Sequence, residues 1–290
     1  MPEEIRILKI GDKNYPKLLK KIKDAPEVIY YRGELNPSEQ CFAIVGTRRF
    51  SSYGKQVALE IAGDLAEAGL TIVSGLAPGI DTFAHTAVVE RRKRTIAVLG
   101  TGLDEKSIYP QSNLKLAQKI LETGGCLISE YPPGTCGTKF TFPQRNRIIS
   151  GLSLGVLVVE AKQKSGALIT AHHAFEQNRK VFAIPGSIYS LNSKGCHYLI
   201  KKGAKLVENA NDILKEFNFP LPTPGVGYPI GKTEEENLIL EALKEGPLYI
   251  DKIIEKTKLK ASEVASTLAI LEIKGKVRNL GGNIYAISYR

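Results

Sequence analysis

The stretch CFAIVGTRRFSSYGKQVALEIAGDLAEAGLTIVS, residues 41–74, contains the pattern that decides the fold. It begins with five consecutive apolar residues (41–45) and ends with a second strand-like segment (71–74). Between them, apolar residues recur at helical spacing over 57–66. Strand, helix and strand in this order form a βαβ unit, and strands without polar alternation are typical of a parallel sheet covered on both faces.

The alternation of strand and helix continues along the first 220 residues. Four more apolar segments have the length of buried strands: TIAVLG (95–100), CLISE (126–130), GVLVVE (155–160) and KVFAI (180–184). The sequence therefore predicts an α/β fold over 37–220, a Rossmann-like doubly wound domain with a mainly parallel sheet. Residues 1–36 are too few for a domain, so we expect a short N-terminal extension that packs against it.

The end of the chain carries a different pattern. Segment 221–232 reads LPTPGVGYPIGK and indicates a Pro/Gly linker. Residues 233–290 then contain three helical segments, the first capped by Thr233, and a hairpin that turns at Gly281-Gly282. This order is typical of a small winged-helix domain. Its third helix begins Ala-Ser-Glu, with no Arg, Asn or Gln to read base edges, which favours a protein contact over duplex DNA.

The charge balance favours a polyanionic partner. The formal net charge is +10 at pH 7 and the pI is near 9.3. Residues 232–290 contain ten basic and nine acidic residues, so most of the positive charge belongs to the larger domain.

Several other classes of protein are disfavoured. No apolar run approaches the ~20 residues of a membrane span, and the N-terminal MPEEIRILKI carries acids where a secretion signal carries basic residues. The four cysteines lie far apart, without the spacing of a metal site. We therefore expect reduced thiols, a cytoplasmic protein, and no membrane or metal partner.

The segment KFTFPQRNR (139–147) combines cations with aromatic rings. Lys139 and two arginines alternate with Phe140 and Phe142, an arrangement that suits single-stranded nucleic acid, since cations follow phosphates and rings stack on unpaired bases. The alternative is that both phenylalanines are core residues and the cations solvate the start of a helix.

The predicted strand order brings this segment to one edge of the sheet. Ligands of parallel sheets bind beyond the carboxyl ends of the strands, where GTRR (46–49), SGLAPGID (74–81), the 139–147 loop and KSGALIT (164–170) all follow strands. We expect DNA contacts from side chains converging on this rim and phosphate contacts from backbone groups. The DNA-binding candidates are Arg48, Arg49, Lys139, Phe140, Phe142, Arg145 and Arg147. The phosphate-binding candidates are Gly46, Thr47, Ser74, Gly75, Gly79, Ser165 and Gly166.

Evidence for catalysis is weak in the sequence. The glycine-rich segments fit neither the dinucleotide motif nor the P-loop, so no cofactor is predicted. Asp81 fits a helix cap, and Glu160 could act as a base but has no recognisable partner. We predict no catalytic residue.

Six segments together resemble one bacterial family. VGTRR (45–49), SGLAPGID (74–81), ISEYPPGT (128–135), FPQRNRIISGLS (142–153), VVEAKQKSGALITA (158–171) and IPGS (184–187) are similar to the successive signatures of the DNA-processing protein A (DprA/Smf) family. The resemblance covers about 10–290, including the C-terminal winged helix that many members carry.

The resemblance implies a non-catalytic protein that binds single-stranded DNA, protects incoming strands during natural transformation and helps to load the RecA recombinase. It also implies a homodimer or larger assembly. By position, the DNA contacts are Arg48 or Arg49, Lys139, Phe142, Arg145 and Arg147. Residues 75–79 and Ser165-Gly166 are implied to hold phosphates.

The chain departs from the family in two places. The larger members carry an N-terminal helical domain, of which only the tail from NYPKLLKKI is recognisable. Where the family has Gly-Thr-Asn, this chain has Gly195-Cys196-His197.

Two other functions remain as alternatives. One is a nucleotide phosphoribohydrolase-type enzyme, although the glycine nest and catalytic Glu of that class are missing. The other is a winged-helix regulator, which strong duplex binding by 233–290 would favour.

Overall fold

The computed structural model describes residues 4–221 and 231–288, which form two compact units, Met1–Pro220 and Leu221–Arg290. The predicted linker lies mostly outside the described residues. No helix in the described parts of the chain is long and apolar enough to cross a membrane.

The first unit is built on one nine-stranded sheet with the order β1-β2-β6-β5-β4-β3-β7-β8-β9. The strands from β6 to β9 run parallel, as predicted, whereas β1 and β2 add an antiparallel edge. The strands are β1 (Arg6–Lys9), β2 (Val28–Gly33), β3 (Cys41–Val45), β4 (Thr71–Ser74), β5 (Thr95–Leu99), β6 (Cys126–Ser129), β7 (Gly155–Val158), β8 (Lys180–Ala183) and β9 (Lys205–Leu206).

The N-terminal residues are thus part of the sheet and not only packed against it. The predicted extended segment is β2, whose backbone pairs with that of β6. Strand β1 was not predicted, because three of its four residues are exposed and no apolar run marks it.

Helices cover both faces of the sheet, which confirms the doubly wound α/β architecture. The apolar contacts place α2, α3, α4 and α8 on one face and α1, α5, α6 and α7 on the other. The helices are α1 (Lys17–Lys20), α2 (Ser52–Glu67), α3 (Ile80–Glu90), α4 (Leu114–Glu122), α5 (Thr141–Leu152), α6 (Gly166–Glu176), α7 (Lys194–Lys201) and α8 (Ala210–Glu216).

The strand order reverses between β3 and β7. The chain runs outward from β3 to β4, β5 and β6, and then returns through α5 to place β7 on the other side of β3. Connections on the two sides of such a switch point diverge to opposite faces, which opens a crevice beyond the carboxyl ends of the two strands.

The second unit has the predicted winged-helix pattern. Thr233 caps α9 (Glu234–Ala242), since its Oγ1 accepts a hydrogen bond from the backbone N–H of Glu236. It continues with β10 (Leu248–Tyr249), α10 (Ile250–Thr257), α11 (Ala261–Ile273), and the hairpin of β11 (Val277–Gly281) and β12 (Ile284–Ile287). The helices and the hairpin share one apolar core.

A buried histidine makes the stability of the first unit sensitive to pH. His85 on α3 has no exposed surface, and its Nδ1–H donates to Thr95 Oγ1, whose own hydrogen is given to the carbonyl of Ile72. Burial, together with the charge of Arg145, lowers the pKa of His85 from 6.5 to about 3. The imidazole is therefore neutral in the folded protein at pH 5.

We predict that His85 lowers stability as the pH falls below 6.5, because only the unfolded chain then binds the proton. Because of His85, the unfolding free energy should fall by about 2 kcal/mol between pH 7 and pH 5. Urea titrations at both pH values measure this loss. The variant His85→Asn, which keeps the donor to Thr95, should show a smaller difference between the two pH values, and an unchanged difference would contradict the assignment.

Candidate nucleic-acid interface

The crevice at the switch point is a cleft of about 390 Å³. Its walls come from four connections that follow parallel strands. Gly46 and Arg48 follow β3, and Ala77 and Asp81 follow β4. The other lining residues are Val45 at the end of β3 and residues on or just before α5 and α6: Lys139, Phe142, Pro143, Arg145, Asn146, Ile149, Ser165, Gly166, Ala167, Ile169 and Thr170.

Two cations stand beside two aromatic rings in and next to this cleft. The guanidinium carbon of Arg48 lies 5.8 Å from the ring centroid of Phe142, and the ammonium of Lys139 lies 5.1 Å from that of Phe140. Arg48 and Lys139 are exposed, Phe140 is 71% exposed, and Phe142 is half-buried. Exposed cations and ring surfaces are thus available together to a ligand that has both phosphates and bases.

The segment 139–147 is mainly the start of a helix, which corrects its prediction as a loop. Helix α5 begins at Thr141, and Pro143 is tolerated in its first turn, where backbone N–H groups have no intrahelical partner. Thr138 Oγ1 accepts hydrogen bonds from the backbone N–H groups of Phe140 and Thr141. Because the segment is helical, its two arginines lie on different sides of α5.

Arg145 lies in the floor of the cleft and is 4% exposed. Its Nη1 donates to the carbonyl oxygens of Gly75, at 2.8 Å, and of Val98. Burial lowers its pKa to about 10, while the nearby carboxylate of Asp81 favours the charged form. Burial in turn raises the pKa of Asp81, and the Arg145 charge opposes that shift. Arg145 is therefore charged at neutral pH and holds α5 against the ends of two strands.

Arg147 does not line the cleft, contrary to the prediction that it joins the other cations. Its side chain is buried, and it forms ion pairs with Glu130 at 2.6 Å and Asp24 at 2.9 Å. Its Nη1 also donates to the carbonyl of Gln144. Because its charge is already paired within the protein, Arg147 fastens α5 to the end of β6 and to the N-terminal segment.

Most of the predicted phosphate-binding groups after β3 and β4 have internal partners. Ser74 Oγ donates to the carbonyl of Ile44, the Gly75 N–H donates to Asp81 Oδ2, and Thr47 Oγ1 accepts from the Arg49 N–H. Gly79 has a φ of 92°, and a Cβ there would lie 2.4 Å from the carbonyl oxygen of Thr47. The Ser74 hydroxyl and the Gly75 N–H are thus engaged within the protein, and Gly79 allows the two connections to approach closely.

The start of α6 remains open to a ligand. Ser165 caps the helix, with its Oγ accepting from the Ala167 N–H at 3.3 Å, and Gly166 is exposed with open space where a Cβ would be. Both residues line the cleft beside Gly46. The N–H groups of a first helical turn favour an anion at this place.

Glu160, the candidate base, has a structural role in the described chain. Its carboxylate accepts from Ser51 Oγ at 2.6 Å, from the Ser51 N–H at 2.9 Å and from Asn192 Nδ2 at 3.4 Å. It thereby fixes the connection between β3 and α2. Among the described residues, no group of three or more His, Cys, Asp and Glu side chains could hold a metal ion.

Two residues of the interface were not predicted from the sequence. Asn146 lines the cleft, and its Nδ2 donates to the carbonyl of Gly166, which links α5 to α6. Tyr109 packs against Phe142 with ring centroids 5.5 Å apart. Asn146 could have been noticed inside the FPQRNR segment, whereas nothing in the sequence near Tyr109 points to this contact.

The unusual Cys196-His197 pair lies on α7, outside the cleft lining. Cys196 is buried with its Sγ facing the carbonyl oxygens of Val158 and Val159, and burial raises its pKa to about 12. His197 Nε2 lies 3.0 Å from the carbonyl oxygen of Gly186. Both side chains serve the packing of α7.

Comparisons with known proteins identify the family of this chain. Residues 6–218 match the family model described as DNA recombination-mediator protein A, and residues 227–283 match that of the DprA winged helix domain. The chain belongs to the DNA recombination-mediator protein A family.

Relatives in this family cover most of the chain. The DNA processing protein DprA of Streptococcus pneumoniae is 48% identical over 211 residues, which cover 72% of this chain and 73% of that protein. The DprA protein of Bacillus subtilis is 44% identical over 226 residues, covering 77% of this chain and 74% of its own.

Two solved structures of family members share the fold. The X-ray structure of DprA from Streptococcus pneumoniae superposes with a TM-score of 0.69 at 45% identity, covering 76% of both chains. DprA from Helicobacter pylori, solved in work on its single-stranded DNA binding mode, gives a TM-score of 0.66 at 30% identity. That comparison covers 76% of this chain and all of the other.

The different placement of Arg147 and Arg48 predicts different effects on stability. We predict that Arg147→Ala lowers the unfolding free energy by about 3 kcal/mol, because it leaves the partly buried carboxylate of Glu130 without its partner. Arg48→Ala, at an exposed position, should change it by less than about 0.5 kcal/mol. Urea denaturation of the two variants measures the difference. Equal stability would contradict the structural role of Arg147.

Proposed function

We propose that this protein binds single-stranded DNA in the cleft at the β3–β7 switch point. The observation that carries the proposal is the pairing of two exposed cations with two aromatic rings, Arg48 with Phe142 and Lys139 with Phe140. The cations contact phosphates, the rings stack on unpaired bases, and the start of α6 receives a further phosphate at Ser165-Gly166. The relative from Helicobacter pylori, which is described as binding single-stranded DNA, supports this function.

The protein acts by binding and not by catalysis. The two carboxylates that could have served as catalytic groups are engaged, Asp81 by the Gly75 N–H and the Arg145 charge, and Glu160 by Ser51. Neither is left as a free base in the cleft. The alternative, hydrolysis of a nucleotide ribosyl phosphate, has no observation in its favour.

We propose that the protein protects incoming strands during natural transformation and helps to load RecA onto them, which the family description of a DNA recombination mediator supports. We also propose that it acts as a homodimer. Exposed apolar side chains in the loop after β8 and on α7 support self-association, since exposed apolar residues mark contact sites where they cluster. They are Ile188, Tyr189, Leu191 and Tyr198, which are 64%, 89%, 66% and 48% exposed.

For the winged-helix unit we propose a protein partner. The exposed residues of α11 include Ser262, Ser266, Ile270 and Ile273. Isoleucines favour an apolar partner, and the helix offers no Arg, Asn or Gln to base edges. The four cysteines are all unpaired, which supports a cytoplasmic location.

Charge reversal tests the proposed site. We predict that Lys139→Glu and Arg48→Glu each weaken binding of a fluorescent oligo-dT at least about tenfold, because each change removes a phosphate contact and adds a repulsive charge. Both positions are exposed, so the folded state should keep its stability. Fluorescence anisotropy measures the affinity.

The matched control is Lys115→Glu, at an exposed position on α4 outside the cleft lining. It should keep nearly the affinity of the parent. Parent-like affinity in both cleft variants, with their fold intact by circular dichroism, would refute the assignment of the site. If the parent itself bound no strand, a nucleotide-hydrolysis assay would test the enzymatic alternative.

A further inference from the structure

A second group of aromatic and basic side chains lies just beyond the cleft, on the α2–α3 face. Phe50 is 43% exposed, and its ring packs edge-to-face with that of Phe83 at a centroid distance of 4.6 Å and an interplanar angle of 87°. The ammonium of Lys55 lies 5.4 Å from the ring centroid of Phe83. We call Phe50, Phe83 and Lys55, together with exposed Arg49, the outer patch.

The outer patch is joined to the cleft by two residues of backbone. Arg48 lines the cleft beside Phe142, and Phe50 follows it at a distance of no more than about 7 Å along an extended chain. A DNA strand that leaves the cleft next to Arg48 therefore reaches Phe50 next. Cations and rings continue in the same combination from one site to the other.

This connection is held rigidly by contacts within the protein. Ser51 donates from its N–H and its Oγ to the buried carboxylate of Glu160, and Asn192 Nδ2 donates to the carbonyl of Arg49 at 2.9 Å. The Glu160 carboxylate lies so close to Gly54 that a Cβ there would be 2.3 Å from it. Because the loop is fixed before any ligand binds, little ordering entropy opposes its use as a binding surface.

Packing within the protein does not explain why the ring of Phe50 is exposed. Phe83 is already in contact with the apolar core below it and with Lys55. Phe50 instead leaves nearly half of its surface to water, between Arg49 and the start of α2. An exposed ring beside cations is the element that single strands use for stacking.

We propose that the outer patch is a second subsite for single-stranded DNA, which binds the nucleotides that leave the cleft. Bases stack on Phe50, and the phosphates next to them are neutralised by Arg49 and Lys55. This inference rests on the proposed function of the cleft. With the outer patch, the protein contacts a longer single strand than the cleft alone can hold.

A length series of oligo-dT distinguishes the outer patch from the cleft. The variants are Phe50→Ala and Lys55→Gln, and the matched control is Phe175→Ala. Phe175 is 37% exposed and lies near the end of α6, about 13 Å along the helix from its start at the cleft. Affinities are measured by anisotropy with strands of about 4 to about 20 nucleotides, a range that spans known single-strand site sizes.

We expect Phe50→Ala to weaken binding of the longest strand about fivefold to tenfold while the shortest strand binds as to the parent. Lys55→Gln should lower the slope of log affinity against log salt by about 0.7 on the longest strand, because one phosphate contact is lost. Phe175→Ala should match the parent at every length.

If both variants bound every strand as tightly as the parent, the outer patch would not be a subsite, and the cleft would remain the binding site. An equal loss at all lengths would also overturn it, since Phe50 would then act on the cleft itself. Failure of the parent to bind any strand would instead refute the proposed function of the cleft.

Discussion

The buried charge of Arg145 is the interaction on which the arrangement of the cleft depends. Removing a guanidinium from water costs several kcal/mol, and the protein offsets this cost with the carbonyl oxygens of Gly75 and Val98 and the carboxylate of Asp81. These partners belong to the ends of β4 and β5 and to the start of α3. This one side chain thus sets the position of α5 relative to three other elements. The position of Phe142, which lies one turn earlier on α5, is fixed together with the helix.

The cations of the 139–147 segment divide into two roles according to burial. Arg145 and Arg147 have their partners within the protein and fasten α5 on its two sides. Lys139, with Arg48 from the neighbouring connection, is exposed beside a ring. A fixed helix therefore stands beside exposed charges and ring surfaces at a site that is shaped in advance. Such a site can follow a flexible strand without reading its sequence, because every base has a face that stacks.

The sequence predicted the sheet and the position of the cleft, because both follow from local patterns. Unbroken apolar strands and helical spacing identified the parallel sheet, and chain order placed the 46–49 and 139–147 segments at one edge. Which arginine faces the ligand was not predictable in the same way. The burial of Arg147 depends on Asp24 and Glu130, and that of Arg145 on Asp81 and distant carbonyls. Such partners meet only after folding, so composition and spacing do not reveal them.

Fluorescence anisotropy with a labelled oligo-dT and a duplex of equal length, across a series of salt concentrations, tests the central claim most directly. The single strand should bind more tightly than the duplex, because only unpaired bases can stack on Phe140 and Phe142. Log affinity should also fall linearly with log salt, by about 0.7 for each phosphate contact. Equal or tighter binding of the duplex would contradict a cleft built for unpaired bases and would place nucleic-acid binding in the winged-helix unit.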